Sequence, residues 1–187
     1  MGKEQDTKEK ILQSFREIAR DCPIDKITVK QIAEKSGVTT QTFYNHFADK
    51  YDLVTWAYKE RLDRIFDLYN KGKIDWKGFL FEYIGSYRRN SRYILNAFKN
   101  THGHDSYAVN SADYLYIKML KELKEKRKLD VVPKEISMIC LMYVCGVTNI
   151  IEKWLMDGAV LTDEQMVNIL YEGLPGKLRN YYYEDDM

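Results

Sequence analysis

Apolar residues recur every three to four positions along most of the chain, and strand-like alternation is nearly absent. Such a period predicts amphipathic helices from end to end. Ile11, Phe15, Ile18 and Ala19 share one face of a first helix, with Asp6 and Glu9 at capping-box spacing before them and Pro23 after it. Thr28 and Gln31 repeat that spacing and open a short helix carrying Val29, Ile32 and Ala33, which Gly37 breaks. A third short segment is expected from about Thr39 to His46. Asp49 then caps a long helix with Leu53, Val54, Ala57 and Tyr58 along it, and Gly72 sits where a C-terminal cap belongs. Asp75 opens the next helix, which carries Trp76, Phe79, Tyr83 and Tyr87, and Ser91 is expected to cap another.

The stretch 100–106, with Gly103, reads as a loop, and the helix after it should end near Lys128 in a charged run. Pro133 suits the first turn of a very apolar helix that reaches Met156 and closes at Gly158. Thr162 and Gln165 give one more capping box before Met166, Ile169 and Leu170. The sum is an all-α chain of about nine helices. Its character changes near residue 50, from short helices and polar turns to longer, more aromatic ones. We therefore expect a three-helix head over 1–50 and a larger helical-bundle body over 51–187.

Composition narrows the function classes. With 45% apolar residues among 187, the chain can bury a sizeable core. A net charge of +1 gives no global field for nucleic acid. Locally, however, Lys26, Lys30 and Lys35 face a single Glu34, and no acid lies between Lys35 and Ala48. The uncharged run 136–151 is shorter than the roughly 20 residues of a membrane span. The charged N-terminus lacks an apolar export core, so a cytoplasmic protein without a membrane partner is expected. Cys22, Cys140 and Cys145 form no CxxC pair and read as buried free thiols. His102 and His104 sit in a loop without a cysteine or carboxylate set, so no metal is expected. Nor is there a phosphate loop or nucleophile elbow, which argues against an enzyme and against a cofactor.

The span 28–50 reads TVKQIAEKSGVTTQTFYNHFADK. A small residue at Ala33 permits two helices to cross closely, Gly37 suits the turn, and Phe43 with Phe47 would plug a second helix into the core. Thr40 with Tyr44, and Gln41 with Asn45, then face outward. That face is uncharged and rich in hydrogen-bonding groups, as base edges and phosphate oxygens require.

GVTTQTFYNHFADKYDLV closely resembles the signature of the TetR family of transcriptional regulators, and Ile27-Thr28-Val29 with Ile32-Ala33 fits the family's preceding helix. The stretch from Trp76 through Tyr93, together with GVTNIIEKWL, is similar to a C-terminal domain of regulators from low-GC Gram-positive bacteria, in the neighbourhood of dihydroxyacetone kinase regulators. The resemblance implies a helix-turn-helix head and an effector-binding, dimerising body. It implies base-edge roles for Thr39, Thr40 and Gln41, in company with Thr42, and phosphate or base contact for Tyr44, Asn45 and His46. Lys50 would bind backbone phosphate, and Thr28 would cap the second helix and touch phosphate. Position 41 is often glycine or proline-like in the family, and Gln41 would add a sequence-specific contact instead.

As partners the resemblance implies a double-stranded palindromic operator, a second copy of the chain and a small-molecule effector. We expect the apolar penultimate helix to carry the dimer through Ile139, Tyr143, Val147, Ile150 and Trp154, and an effector pocket to draw on Tyr83, Tyr87, Phe98 and Tyr114. Ligand-relieved repression is the default this implies. An activator or coregulator answering to a protein partner, or a dimeric adaptor without DNA binding, are the rivals.

Overall fold

A computed structural model describes residues 2–183 and holds ten α-helices among them. They are α1 (Lys3–Ile18), α2 (Val29–Ser36), α3 (Thr40–Tyr44), α4 (Lys50–Asn70) and α5 (Trp76–Arg89). Then come α6 (Ser91–Asn100), α7 (Tyr107–Lys126), α8 (Lys134–Met156), α9 (Asp163–Glu172) and α10 (Gly176–Tyr182). Single 3-10 turns occur at Ile24–Lys26 and Gly103–Asp105.

Local chemistry sets most of these boundaries. The Thr28 hydroxyl oxygen accepts from the Gln31 backbone N–H while the Gln31 side-chain oxygen accepts from the Thr28 N–H, closing the capping box of α2. The same reciprocal pair at Thr162 and Gln165 opens α9. One Asp49 carboxylate oxygen accepts from the N–H groups of Tyr51 and Asp52 at the start of α4.

Other boundaries differ from the sequence reading. α1 starts at Lys3, upstream of the Asp6–Glu9 spacing, because good helix formers precede it and Glu4 and Asp6 favour its first turn electrostatically. At α6, Asn90 is the cap residue and makes no side-chain cap bond. The expected loop at 100–106 contains the second 3-10 turn. After Pro175 a short extra helix, α10, buries Leu178 and Tyr182.

The described residues form two compact units. The first holds the chain to residue 58 together with 90–107, and the second holds 59–89 with the chain from 108 onward. α6 joins the first unit although it follows α4 and α5 in sequence. Asn96 of α6 explains why. Its amide nitrogen donates to the carbonyls of Ala19 and Cys22 at 2.7 and 2.8 Å, and its oxygen accepts from the Ile24 N–H at 3.0 Å. Those carbonyls lie at the C-cap of α1 and in the turn that follows it, where helical partners have run out. Phe15 of α1 and Tyr93 of α6 add an edge-on ring contact at 5.9 Å.

The second unit is built on aromatic packing. Trp76, Phe79 and Tyr83 line successive turns of α5, with Trp76 and Phe79 stacked at 4.8 Å and Tyr182 tilted against Trp76 at 4.4 Å. Arg88 of α5 pairs with Asp163 of α9 and donates to the Leu161 carbonyl at 2.7 Å. α8 has 23 residues and the length and apolar character of a membrane span. It nonetheless buries Cys140, Val144, Val147 and Ile151 in this unit. Of the three thiols only Cys140 is buried; Cys22 is half-buried and Cys145 exposed, since five residues on a helix turn Cys145 to another face.

Candidate DNA-binding face

The first unit assembles a helix-turn-helix from α2 and α3. Gly37 has φ +64°, a conformation that a β-carbon would strain, and it lets Val38 N–H return to the Ala33 carbonyl at 3.0 Å. Ile32, Ala33, Phe43 and Phe47 are buried, and the Phe43 ring touches that of Phe47 at 5.7 Å. These two rings fix α3 as a rigid plug. Its other face is left to solvent.

Thr40, Gln41, Tyr44 and Asn45 all lie on that exposed side, with Tyr44 54% accessible. Gln41 Nε2 donates to Asn45 Oδ1 at 3.0 Å, so the two amides form one prearranged donor–acceptor surface. Thr39 has a different occupation. Its hydroxyl caps α3 by accepting from the Thr42 N–H at 3.0 Å and lies 2.9 Å from the Thr42 hydroxyl. Thr42 and His46 are half-buried beside the exposed four. Thr28 is exposed at the start of α2.

The resemblance implies a phosphate contact for Lys50, and in the fold its ammonium is engaged by the chain itself. Its Nζ donates to the carbonyls of Asp25 and Ile27 at 2.7 and 2.8 Å. Burial holds its pKa below the ordinary lysine value, against the opposing pull of Asp25 and Asp49. The ammonium has three donors, and two are engaged. Nothing in the local sequence pattern signals this latch, because the two carbonyls lie more than twenty residues upstream.

The residues expected to pair two copies divide. Tyr143, Val147 and Trp154 are buried within the chain, Ile139 is half-buried, and Ile150 is 42% accessible. Tyr143 donates to the Leu170 carbonyl at 2.8 Å and Trp154 Nε1 to that of Leu161 at 3.0 Å, so both serve the chain's own core. The exposed stripe of α8 is rotated from the one expected and carries Met138, Met142, Cys145, Gly146 and Ile150. Ile169 of α9 is exposed too, and it shares with Ile150 the walls of two hollows of about 220 and 210 Å³.

The four aromatics expected around an effector are mostly committed to packing. Tyr83 and Tyr87 are buried with their hydroxyls 3.2 Å apart, and the Arg61 guanidinium covers the Tyr87 ring at 4.6 Å. Phe98 lies in the first unit, edge-on to Tyr107 at 4.9 Å. Tyr114 is half-buried, and its hydroxyl donates to the Asp63 carboxylate at 2.9 Å. Burial and that carboxylate push its pKa up to about 12.

Comparison with known proteins agrees with this geometry. Residues 11–55 match the model described as bacterial regulatory proteins, tetR family, and residues 75–176 match a transcriptional regulator C-terminal region. No curated protein matches the chain. Among solved structures it is similar to a dihydroxyacetone kinase operon activator, DhaS, at 17% identity and TM-score 0.64, over 94% of this chain and 98% of that one. It is also similar to the fatty acid degradation regulator FadR from Bacillus halodurans, at 15% identity and TM-score 0.66, over 96% and 98%. A tetR-family transcriptional regulator from Streptomyces coelicolor aligns at 13% identity and TM-score 0.59, over 92% and 80%. At such identities these structures establish the shared fold. With an N-terminal model matching across α2 and α3, and a regulator C-terminal model spanning more than half the chain, the protein belongs to the tetR family of bacterial regulatory proteins.

Proposed function

We propose that this DNA-binding regulator reads a palindromic operator as a homodimer, each copy presenting α3 to the major groove. The observation that carries the reading is the exposed, uncharged quartet of Thr40, Gln41, Tyr44 and Asn45 on a helix fixed from behind by Phe43 and Phe47. Amide side chains of this kind pair with adenine edges, while hydroxyls suit phosphates or either base. Thr28, Thr39, Thr42 and His46 frame the quartet, and the third donor of Lys50 is available for a phosphate. Under this reading residues 1–50 bind DNA, and 51–187 hold the dimer and the effector.

The dimer forms through α8 and α9. Met138, Met142, Gly146, Ile150 and Ile169 make an exposed apolar surface of a kind soluble monomers rarely leave uncovered. The hollows flanking Ile150 and Ile169 would take side chains of the second copy. Two heads held this way meet successive major-groove faces about 34–36 Å apart.

A small-molecule effector that relieves repression is the default regulation. The likeness to a protein named as an operon activator favours a second reading, in which bound protein activates transcription. Selection of bound DNA from a random pool tests the operator claim: enrichment of an inverted repeat is expected, and loss of all enrichment would end it. A reporter fused to the selected site then reads the sign of regulation.

A further inference from the structure

The first unit carries, away from α3, a cleft of about 490 Å³ between the end of α1 and one face of α6. Arg20 and Asp21 stand on one wall, and Arg92, Leu95 and Lys99 on the other. Arg92, Leu95, Asn96 and Lys99 fall at positions i, i+3, i+4 and i+7, which brings them onto one helical face.

Lys8, Lys26, Lys30 and Lys35 each face a carboxylate, from Glu4, Asp25, Glu34 and Glu17 respectively. Among the described residues, Arg20, Arg92 and Lys99 hold no ion pair, and Asp21 is the only acid lining their cleft. The lining therefore carries three positive groups against one negative, with Glu17 acting on Arg20 from outside the cleft.

The floor is already satisfied and stiff. Asn96 spends its amide on Ala19, Cys22 and Ile24, and its oxygen also accepts from Asn100 Nδ2 at 2.8 Å. Polar capacity facing the cleft therefore rests with the guanidinium and ammonium groups and the Asp21 carboxylate, while Leu95 and Pro23 offer apolar surface beside them. Guanidinium forks suit planar or tetrahedral oxyanions bidentately.

The geometry points to a binding site for a small dianionic metabolite, a phosphate ester or a dicarboxylate on a short organic body. Bound there, the anion bridges Arg20 at the end of α1 to Arg92 and Lys99 on α6. It thereby clamps the junction that Asn96 holds from beneath. That junction leads through the Ile24 turn to Thr28 at the start of α2.

The test is calorimetry and thermal melting of the full chain with inorganic phosphate, glycerol 3-phosphate, malonate and neutral glycerol. Saturable binding and a raised melting temperature are expected for a dianion and not for glycerol. A response to the two phosphates alone identifies a phosphate group as the ligand's anion, and one to malonate alone a dicarboxylate; both support the site. The double variant Arg92→Gln, Lys99→Gln changes two exposed side chains and should fold normally. It should bind the same probe at least about tenfold more weakly, as expected when charge-assisted hydrogen bonds are lost. Equal binding by the variant, or no saturable binding of any dianion by the wild type, overturns the proposal. So does a variant whose only defect is a smaller salt dependence of DNA binding, which would make these cations DNA contacts.

Discussion

The ammonium of Lys50 lies 2.7 Å from the backbone carbonyl oxygen of Asp25, tying the start of α4 to the turn that leads into α2. With its second bond to Ile27, it holds the chain on either side of Lys26, just ahead of the α2 capping box. Lys50→Ala should therefore lower stability by about 1.5–3 kcal/mol, the range for hydrogen bonds that involve a charged group. A fall of several degrees in melting temperature is expected. Affinity should drop for all DNA sequences alike, with a salt slope smaller by about one phosphate contact. A stable variant with wild-type binding would show that the latch is idle.

Gln41 and Asn45 act as a pair. Replacing Gln41 with Ala removes a donor group and frees Asn45 from its 3.0 Å bond. The variant should select a changed or degenerate base at one position in each half-site, with a loss of about 1–3 kcal/mol of discrimination there. Non-specific affinity should hardly change. Identical sequences selected by wild type and variant would remove Gln41 from direct readout.

Ile150 and Trp154 stand one helical turn apart on α8 yet should respond differently. Ile150 is exposed, so Ile150→Glu leaves the protomer folded and introduces a charge that dimerisation must desolvate in both copies. Sedimentation should report a folded monomer with collapsed operator affinity. Trp154 is buried, bonded to Leu161 and covered by Arg88 at 4.9 Å. Trp154→Ala should cost about 3–5 kcal/mol of stability, visible in denaturant melts. Intact Ile150→Glu dimers would move the interface elsewhere.

The cysteines offer a chemical readout of the same face. Cys145 is exposed on the proposed partner stripe, whereas burial pushes the Cys140 thiol up to about 12. At pH 8, Cys140 should resist a thiol reagent until the chain unfolds. Cys145 should react slowly at high protein concentration and quickly on dilution to monomers. Because the Cys140 pKa is raised in the fold, its neutral form contributes stability up to about pH 9, and that contribution declines between pH 9 and 12. Alkaline melts of Cys140→Ala against wild type should show a shallower decline in the variant.

What the sequence determined by itself was local. Capping boxes at Thr28 and Thr162, the turn at Gly37 and the inward pair Phe43 and Phe47 each depend on residues within about one helical turn, where spacing dictates geometry. They sufficed for an all-α fold and for the exposed face of α3. Tertiary structure decided what long-range partners control. Whether an apolar residue of α8 turns inward or outward depends on what α9 and α10 cover, so Tyr143, Val147 and Trp154 went to the core and Met138, Met142 and Ile150 to the surface. Asn96 reaches back more than seventy residues to Ala19 and Ile24, and Lys50 more than twenty to Asp25. Backbone carbonyls have no sequence signature, so only the folded chain reveals which side chain they will hold.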